Sequence, residues 1–407
     1  MEVLEMEKLT IAIIGCGHFA HSFIDLFKAH PNVNKVYVCD LIPEKAEAFS
    51  KEFGVEIIES FEAALANEQI NCIGNFTQRH LHGDITLRAL KAGKHVYSAV
   101  PMASTVEECQ AIVRAVEETG KVYMIGETCY YFPCAMFCRE AYKAGKFGKF
   151  SYGAAQYYHH IDSISYGKRE AERGMPPLLY PTHSTAMLLS AVDSYATRVV
   201  CFGCPDRSGD PAFTSEGNEW GNTAINQYVM MKLANGGTAR ITEARGFGYG
   251  RPSSYISAIY GTDGAYEFSN AQHILHERYI DEEGQEKVHL TDVSDYVNPI
   301  EMMRHKDEPN FKENVANGLW QYSCMAEIQR KEYERIPKEF EGLVNGHMAS
   351  HQLLIDDFCR AAYENTMPEL NAWFAARTNI PGLVAIESAK LGGVPLDVPD
   401  MGDAPRR

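Results

Sequence analysis

The sequence has 407 residues, of which 45% are hydrophobic and 23% are charged, as in soluble globular proteins. Its 38 Lys and Arg residues against 54 Asp and Glu residues leave a net charge of −16. This charge argues against binding to nucleic acid or to an anionic membrane, because both need a positive field. The length exceeds what one hydrophobic core usually supports, so we expect two domains.

No run of about 18 apolar residues occurs, and the N-terminus lacks a basic segment followed by an apolar one, so we expect neither a spanning helix nor a signal peptide. Of the eleven cysteines, Cys16, Cys39 and Cys72 lie in or beside apolar runs, which favours free thiols in a reducing cytoplasm. Cys201 and Cys204 form a C-x-x-C pair, but no second pair completes a zinc site, so we expect no metal.

Strands and helices alternate along the first third of the chain. The predicted strands are residues 9–15, 35–40, 69–75, 94–98 and 121–126. The predicted helices are residues 18–30, 44–53, 82–92 and 105–119. This alternation predicts an α/β domain with a doubly wound parallel sheet of the Rossmann type over residues 1–148.

The pattern changes after Gly148, where short alternating segments follow one another. The predicted strands are residues 152–158, 198–202, 225–233, 238–243, 255–260 and 265–269. The predicted helices are residues 185–191, 346–363 and 376–391, and residues 279–312 are expected to form a polar surface excursion. We therefore expect residues 149–375 to form a second α/β domain with a large, mostly antiparallel open sheet. Residues 376–407 are expected to form a C-terminal helix and tail that pack back on the first domain.

A glycine-rich segment follows the first predicted strand. A G-x-G-x-x-A pattern at the start of a helix is matched by Gly15, Gly17 and Ala20. His18 and Phe19 occupy its variable positions. Such glycines allow a tight turn and a close approach of a pyrophosphate to the helix N-terminus. Asp40 ends the second strand, where a carboxylate accepts from a ribose 2′-hydroxyl and repels a 2′-phosphate, so we expect NAD rather than NADP. The alternative for Asp40 is a turn aspartate before a helix.

Several stretches of the chain resemble the Gfo/Idh/MocA family of sugar and cyclitol oxidoreductases. They are residues 11–20, 77–82, 92–96 and 145–148. The resemblance implies a Rossmann domain, a second domain whose open sheet often forms oligomer contacts, and a carbohydrate-like substrate between the nicotinamide and that sheet. It also implies that Thr77, Arg79, His82, Ala99, Pro101 and Glu127 contact the cofactor. For His82, a capping or packing role is an equal alternative.

Two departures from the family pattern point to one subgroup. Ala99-Val100-Pro101 stands where the family usually has Glu-Lys-Pro, so the lysine that assists proton removal is missing. Tyr180-Pro181-Thr182-His183 stands where Asp-x-Gly-x-His is usual, and only the histidine is kept. Both features are similar to those of the NAD-dependent retaining glycosidases within the family.

The candidate catalytic residues are His183, Tyr180, Tyr158 and His160. An imidazole has a suitable pKa for a base near neutral pH, and Tyr180, three residues before His183, is either a proton relay or an ordinary pocket aromatic. On a strand, Tyr158 and His160 face one side and Tyr157 and His159 the other.

Further residues are expected to contact the substrate, namely Tyr130, Tyr131 and His159, with Arg245 and His351 as weaker candidates. A metal site formed by His159, His160 and Asp162 is disfavoured, because adjacent histidines on a strand point apart. The expected partner is a sugar or glycoside, with neither nucleic acid nor membrane, and the expected assembly is a homodimer or homotetramer.

These residues favour an enzyme that oxidises a ring hydroxyl, at C3, with transient NADH. The ketone acidifies the C2 proton, the C1 substituent leaves by elimination, and water then adds. The alternatives are a net NAD-dependent sugar or cyclitol dehydrogenase and a non-catalytic NAD(H)-binding sensor.

Overall fold

The residues that the computed structural model describes are 7–159, 174–246, 253–269, 272–316, 319–320 and 324–405. In this part of the chain the strands form one six-stranded sheet and one nine-stranded sheet. The predicted catalytic residue His160 lies outside the described residues, as does Asp162.

The first sheet contains parallel strands only. They are β1 (Leu9–Ile14), β2 (Val33–Cys39), β3 (Glu56–Ile57), β4 (Cys72–Asn75), β5 (His95–Ser98) and β6 (Tyr123–Ile125). Their order across the sheet is β3-β2-β1-β4-β5-β6, so the direction of winding reverses between β1 and β4, where open α/β sheets bind their ligands. β1 is buried along its whole length, which explains its unbroken apolar sequence.

Helices cover this sheet and follow the predicted order. They are His18–His21, Ile24–Ala29, Pro43–Phe53, Phe61–Ala66, His82–Lys91 and Val106–Thr119. The single helix predicted over residues 18–30 is wrong, because the amides of Ser22 and Phe23 bond to carbonyls three residues back and tighten the chain there. Thr105 and Glu108 form a reciprocal capping box that begins the last of these helices.

The second sheet confirms the predicted, mostly antiparallel architecture. Its strands are β7 (Phe150–Tyr158), β8 (Ala196–Pro205), β9 (Ala224–Leu233), β10 (Thr238–Ala244), β11 (Ser253–Gly261), β12 (Gly264–Ser269), β13 (Gln272–Ile280), β14 (Glu286–Asp292) and β15 (Leu396–Asp397). The strand order is β14-β13-β12-β11-β7-β10-β9-β8-β15, and β7 pairs with β10 in parallel. The helix Thr182–Ala191 packs against β7, β10 and β11, and so brings its first turn near the end of β7.

The polar excursion predicted over residues 279–312 lies at the surface along β14, but the stretch has regular secondary structure. This stretch contains the end of β13, all of β14 and the helices Ser294–Val297 and Ile300–Met303. β14 is an edge strand whose residues are exposed or half-buried on both faces. Most residues of β14 are polar because both faces of the strand contact solvent. Their polarity therefore did not indicate a strand.

The C-terminal helices join the two sheets. The helix predicted over residues 346–363 is divided into Gly346–Ala349 and His351–Glu364. The helix Ala372–Lys390 presents Asn379, whose side chain accepts from the Met102 amide at 2.9 Å and donates to the Ala103 carbonyl at 3.1 Å. The predicted domain boundaries at residues 148/149 and 375/376 remain predictions.

Across the described residues, no helix combines the length and the apolar character needed to cross a bilayer. None of the eleven cysteines forms a disulfide, and nine of them are buried. Cys201 and Cys204 both lie on β8 without a disulfide between them.

Candidate active site

The loop after β1 has the backbone geometry of a phosphate-binding turn. Gly15 has a φ of +96°, and a Cβ atom at this position would lie 2.6 Å from the Phe76 carbonyl oxygen, so only glycine fits. Gly17 and His18 are exposed at the start of the first helix, and no side chain caps the helix at Gly17. Phe19 is half-buried and Ala20 is buried behind the loop. The loop therefore keeps its helix-terminal amides open to an anion.

Asp40 holds the glycine loop and leaves room for a ribose. Its Oδ2 accepts from the Cys16 amide at 2.8 Å and its Oδ1 from the Ile42 amide at 2.9 Å. Each carboxylate oxygen retains a lone pair for a ribose hydroxyl. The next side chain, Leu41, is 92% exposed, and an apolar surface beside a ribose-binding carboxylate suits a flat base. The residues present therefore fit the adenosine half of NAD.

His82 supports the loops that follow β4 and β5. It is buried, its Nδ1 lies 2.7 Å from the Pro101 carbonyl oxygen, and its Nε2 lies 3.1 Å from the Thr77 carbonyl oxygen. The Thr77 hydroxyl donates to Asn75 Oδ1 at 2.7 Å, and the Ala99 amide donates to the Asn75 carbonyl. These contacts favour the packing role that the sequence left open for His82.

The position of the family lysine is apolar. Val100 is 5% exposed and offers no group that exchanges a proton. A proton acceptor for a reacting hydroxyl must therefore come from another element.

Glu127, His183 and Tyr180 form a hydrogen-bonded chain at the carboxyl edge of the first sheet. His183 Nδ1 lies 2.6 Å from Glu127 Oε1, and its Nε2 lies 3.0 Å from the Tyr180 hydroxyl. Glu127 Oε1 also accepts from the Cys129 amide at 2.9 Å, which fixes the carboxylate in the turn after β6. The sequence analysis assigned Glu127 to the cofactor, whereas the structure places it directly behind His183.

The hydrogen-bond network defines which ring nitrogen of His183 carries the proton. Burial opposes ionisation of Glu127. However, the neighbouring His183 and the hydrogen bonds donated to the Glu127 carboxylate lower the pKa of this group below its ordinary value. The carboxylate can only accept, so His183 Nδ1 donates to it and the Nε2 lone pair accepts from Tyr180. His183 therefore has a basic nitrogen on the side of Tyr180, as a general base requires.

Two guanidinium groups lie over the tyrosine rings around His183. The Cζ atom of Arg79 is 4.4 Å from the centre of the Tyr180 ring, and that of Arg245 is 4.7 Å from the centre of the Tyr157 ring. Burial raises the pKa of both phenols well above the ordinary value, while the nearby guanidinium groups oppose the shift. Both tyrosines therefore keep their protons at neutral pH unless a reaction step stabilises the phenolate.

A second buried carboxyl lies behind Tyr157. Glu243 is fully buried, its Oε2 pairs with Arg245 at 3.1 Å, and it accepts a hydrogen bond from the Ser184 hydroxyl. Burial raises the pKa of Glu243 to about 7, although Arg245 opposes the shift. The hydrogen bond from Ser184 to Glu243 connects the helix that carries His183 to β10.

His347 lies on an unusual backbone turn beside the glycine loop. His347, Met348 and Ala349 have φ values of 45°, 54° and 60°, in the left-handed region. Such a conformation costs roughly 1–2 kcal/mol per non-glycine residue. The His347 ring lies 5.8 Å from the Phe19 ring, edge to face. Backbone strain of this kind persists where the surrounding structure imposes it, often at functional sites.

A cleft lies between these residues and the second sheet. Its lining is Cys129, Phe132, Pro133, Cys134, Tyr157, His159, His183, Ser254, Tyr255, Phe268, His273, Val297, Asn298, Pro299, Met302, Val315, His347 and Met348. His273 is fixed in its wall by Tyr266 and by Asn298 Oδ1 at 3.1 Å, and burial lowers its pKa to about 4. A cleft lined by apolar side chains with a few converging polar groups suits a small ligand such as a sugar.

Not every residue predicted for the site lies at this cleft. Tyr158 does not line it, and its ring packs 6.1 Å from that of Tyr255. Tyr130 packs under the Arg139 guanidinium, and the Tyr131 hydroxyl donates to Asp357, so neither ring is presented to a ligand in the cleft. Of the predicted substrate residues, His159 lines the cleft.

The sequence analysis missed the roles of Tyr157 and His347. Tyr157 packs 4.9 Å from the His183 ring, so the cleft lies on the Tyr157 and His159 face of β7. Strand alternation separated the two faces correctly, but nothing in the local sequence says which face meets the cleft. His347 lies in no recognised sequence motif, so the sequence did not indicate it as a site residue. His351, a weaker candidate, is buried beneath it, and Arg245 lies behind Tyr157.

Among the described residues, one group has the ligand types of a metal site, namely Glu127, Cys129 and His183. The Glu127 and His183 atoms are already 2.6 Å apart in a hydrogen bond. Burial raises the pKa of the Cys129 thiol well above its ordinary value, so it is not a thiolate ligand. The chemistry of this donor set does not fit a metal.

The fold and the glycine loop define the class of protein, a dinucleotide-binding Rossmann domain joined to a second, sheet-bearing domain. Residues 9–127 match the GFO_IDH_MocA family model, described as an oxidoreductase family with an NAD-binding Rossmann fold. The chain is therefore an NAD-dependent enzyme with the NAD-binding domain of that oxidoreductase family, and the prediction of NAD as cofactor is confirmed.

Curated relatives and solved structures extend this likeness over the whole chain. A glycosyl hydrolase family 109 protein of Saccharopolyspora erythraea is 21% identical over an alignment of 434 positions, gaps included. The alignment covers 97% of this chain and 83% of that protein. A 2,7-anhydro-N-acetylneuraminate hydratase of Escherichia coli K12 is 26% identical over 141 residues, 35% of this chain and 37% of that protein. The structure of a levoglucosan dehydrogenase with NADH and levoglucosan is 18% identical, with a TM-score of 0.69 over 97% of this chain and 100% of that chain, and this likeness shows the fold.

Proposed function

We propose that this protein oxidises a ring hydroxyl of a glycoside at C3, with transient NADH, and cleaves the glycosidic bond by elimination and addition of water. The observation that carries the proposal is the Glu127–His183–Tyr180 chain, which supplies a proton acceptor at the cleft while Val100 replaces the family lysine. The relatives named glycosyl hydrolase family 109 proteins and anhydro-sugar hydratase support a sugar-type substrate.

The first step requires loss of a hydroxyl proton together with a hydride. Bound NAD⁺ supplies a hydride acceptor that can later return the hydride. His183 Nε2 takes the hydroxyl proton, directly or through Tyr180. Glu127 stabilises the imidazolium that forms, because its carboxylate lies 2.6 Å from Nδ1. General base catalysis of this kind contributes about 10²- to 10⁴-fold to a rate.

The elimination step needs a base for the C2 proton and an acid for the leaving oxygen. The C2–H electron pair forms the new double bond as the C1–O bond breaks, and the leaving oxygen takes a proton. Tyr157 and His159 line the same cleft as His183, and we assign this acid and base chemistry to them. Water then adds at C1, and return of the hydride restores the hydroxyl, so the whole reaction has no net redox change.

The test is a panel of nitrophenyl glycosides with the purified holoenzyme and no added cofactor. Nitrophenolate and NADH absorbance are recorded together. We expect nitrophenolate release from at least one glycoside without accumulation of NADH. NADH formation from free sugars with added NAD⁺, and no nitrophenolate, would instead show a net dehydrogenase. NAD(H) binding without either reaction would leave a cofactor-binding sensor.

We also propose that the chain assembles as a homodimer or homotetramer through its second sheet. Large apolar side chains at the β13 and β14 edge are exposed, with Ile280 at 61% and Val288 and Leu290 at 58% each. Burying such side chains against a second copy removes apolar area from water. Light scattering at micromolar concentration is expected to give a mass two or four times that of one chain. The double variant Val288→Glu/Leu290→Glu is expected to have a mass closer to that of the monomer. A monomeric wild type would contradict the proposal.

A cytoplasmic location remains a proposal, supported by the eleven free thiols. Thiol titration of the protein isolated from its native cells is expected to find no disulfide. A disulfide in that sample would argue for an oxidising compartment instead.

A further inference from the structure

A pair of buried histidines lies between the glycine loop and the cleft. His347 lines the cleft and approaches Phe19 of the glycine loop, while His351 lies beneath it, with its ring centre 4.3 Å from that of Phe23. The three successive left-handed residues at 347–349 place His347 in this position. The chemistry assigned above to His183 and Tyr180 does not use this pair.

The hydrogen bonds of the pair fix the protonation of both rings. The Gly346 amide donates to His351 Nδ1 at 3.3 Å, so this nitrogen is an acceptor and His351 carries its proton on Nε2. His351 Nε2 lies 2.8 Å from His347 Nδ1 and donates to it. His347 Nδ1 is then the acceptor, and the proton of the neutral His347 ring is on Nε2. His347 is thereby set as an N–H donor at the cleft.

The surroundings keep His347 neutral during a reaction. Burial, with a further contribution from His183, lowers the pKa of His347 to about 3, and burial also lowers the pKa of His351 well below its ordinary value. A neutral imidazole cannot compete with His183 as a proton acceptor when its basic nitrogen is occupied by His351. It can donate a hydrogen bond that becomes stronger as negative charge develops on an oxygen.

We propose that His347 is a catalytic residue that donates its Nε2–H to the substrate oxygen that bears the developing negative charge, and that His351 is the positioning residue that holds it in this tautomer. This inference rests on the proposed function. In that reaction, the oxygen at C3 becomes a ketone and then carries the enolate charge when C2 loses its proton. The family lysine would place a cation on its own side of this oxygen. Val100 places none there, so a fixed neutral donor adds its stabilisation to that of the His183 imidazolium.

The test compares two substitutions at position 347. Gln can place an amide N–H near the position of the imidazole Nε2–H, whereas Leu removes the donor and keeps a similar volume. With the best glycoside of the panel, we expect His347→Leu to lose about 10²- to 10³-fold in kcat and His347→Gln to lose less than about 10-fold. Both variants lose the ring contact with Phe19, so NADH affinity and Tm are compared between the two variants, and these values should agree.

A second readout does not depend on turnover. ¹⁵N NMR of the histidine-labelled wild type, with His347→Gln used for assignment, is expected to show His347 neutral and protonated on Nε2 from pH 5 to 9. In His351→Leu the Nε2 and Nδ1 forms should both be populated, with a matching fall in kcat.

The outcomes separate the two proposals. A wild type that cleaves no glycoside would overturn the proposed function, and the role of His347 with it. An active wild type whose His347→Leu variant is equally fast, or whose Gln variant is as slow as the Leu variant, would overturn the role of His347 alone. Protonation of His347 on Nδ1 would also overturn it, even if the Leu variant does not fold.

Discussion

Replacement of His183 by Asn is expected to lower kcat with a responsive glycoside by about 10²- to 10⁴-fold, the contribution of a positioned general base. The Asn side-chain amide can still donate to Glu127 in place of Nδ1, so the buried carboxylate keeps a partner. The basic nitrogen that accepts from Tyr180 is lost. The measurement is steady-state kcat, with NADH affinity from fluorescence titration.

The matched control for His183→Asn is Tyr158→Phe. Tyr158 lies on the neighbouring strand β7 but does not line the cleft, so we expect this variant to keep a rate within about threefold of the wild type. NADH affinity should be unchanged in both variants, because neither residue contacts the glycine loop. An Asn variant that retains full kcat would show that the proton acceptor is another group.

Replacement of Glu127 by Gln is expected to lower kcat by about 10³- to 10⁴-fold, on the scale seen when the carboxylate that orients a catalytic histidine is replaced by an amide. The amide cannot stabilise the imidazolium as the carboxylate does. It also introduces a buried N–H₂ group next to His183, which favours the wrong tautomer. The measurement is kcat with the same glycoside, and NADH titration is the control for an intact cofactor site.

The same variant has an expected effect on stability that depends on pH. The folded-state pKa of Glu127 lies below the unfolded value of about 4.3. Its contribution to the free energy of unfolding is therefore present above the unfolded pKa and is lost as the pH falls through the folded pKa. Urea unfolding of wild type and Glu127→Gln should differ most near pH 6–7, with the gap closing below about pH 4. A gap that widens in acid would contradict the assignment.

This structure has the apolar Val100 where the family that the chain resembles usually has a lysine. It also has the hydrogen-bonded chain of Glu127, His183 and Tyr180. Val100 leaves the usual side of the reacting hydroxyl without a titratable group. In the proposed mechanism the proton acceptor is His183, which lies on the helix Thr182–Ala191 and is hydrogen-bonded to the Glu127 carboxylate after β6.

The local sequence was sufficient to predict the features that short-range geometry controls. The glycine spacing after β1 and the carboxylate after β2 specify a dinucleotide site, because a tight turn and a helix terminus are formed by adjacent residues. The alternation of strands and helices predicted the first sheet, and its carboxyl edge predicted that Glu127 lies near a ligand. Tyr180 and His183 are only three residues apart in the chain, and their side chains meet although Tyr180 precedes the helix that begins at Thr182.

The partners of these residues were determined by tertiary packing. Glu127 meets His183 across 56 positions of the sequence, because β6 and the helix Thr182–Ala191 belong to different parts of the fold. Tyr157, rather than Tyr158, lines the cleft because the packing of helices on the second sheet decides which face of β7 is covered. His347 owes its place to a left-handed turn formed by three residues of which none is glycine. Local propensities act over a few residues, whereas these contacts join distant segments, so the sequence alone determined the cofactor turn and the histidine, and the fold determined what surrounds them.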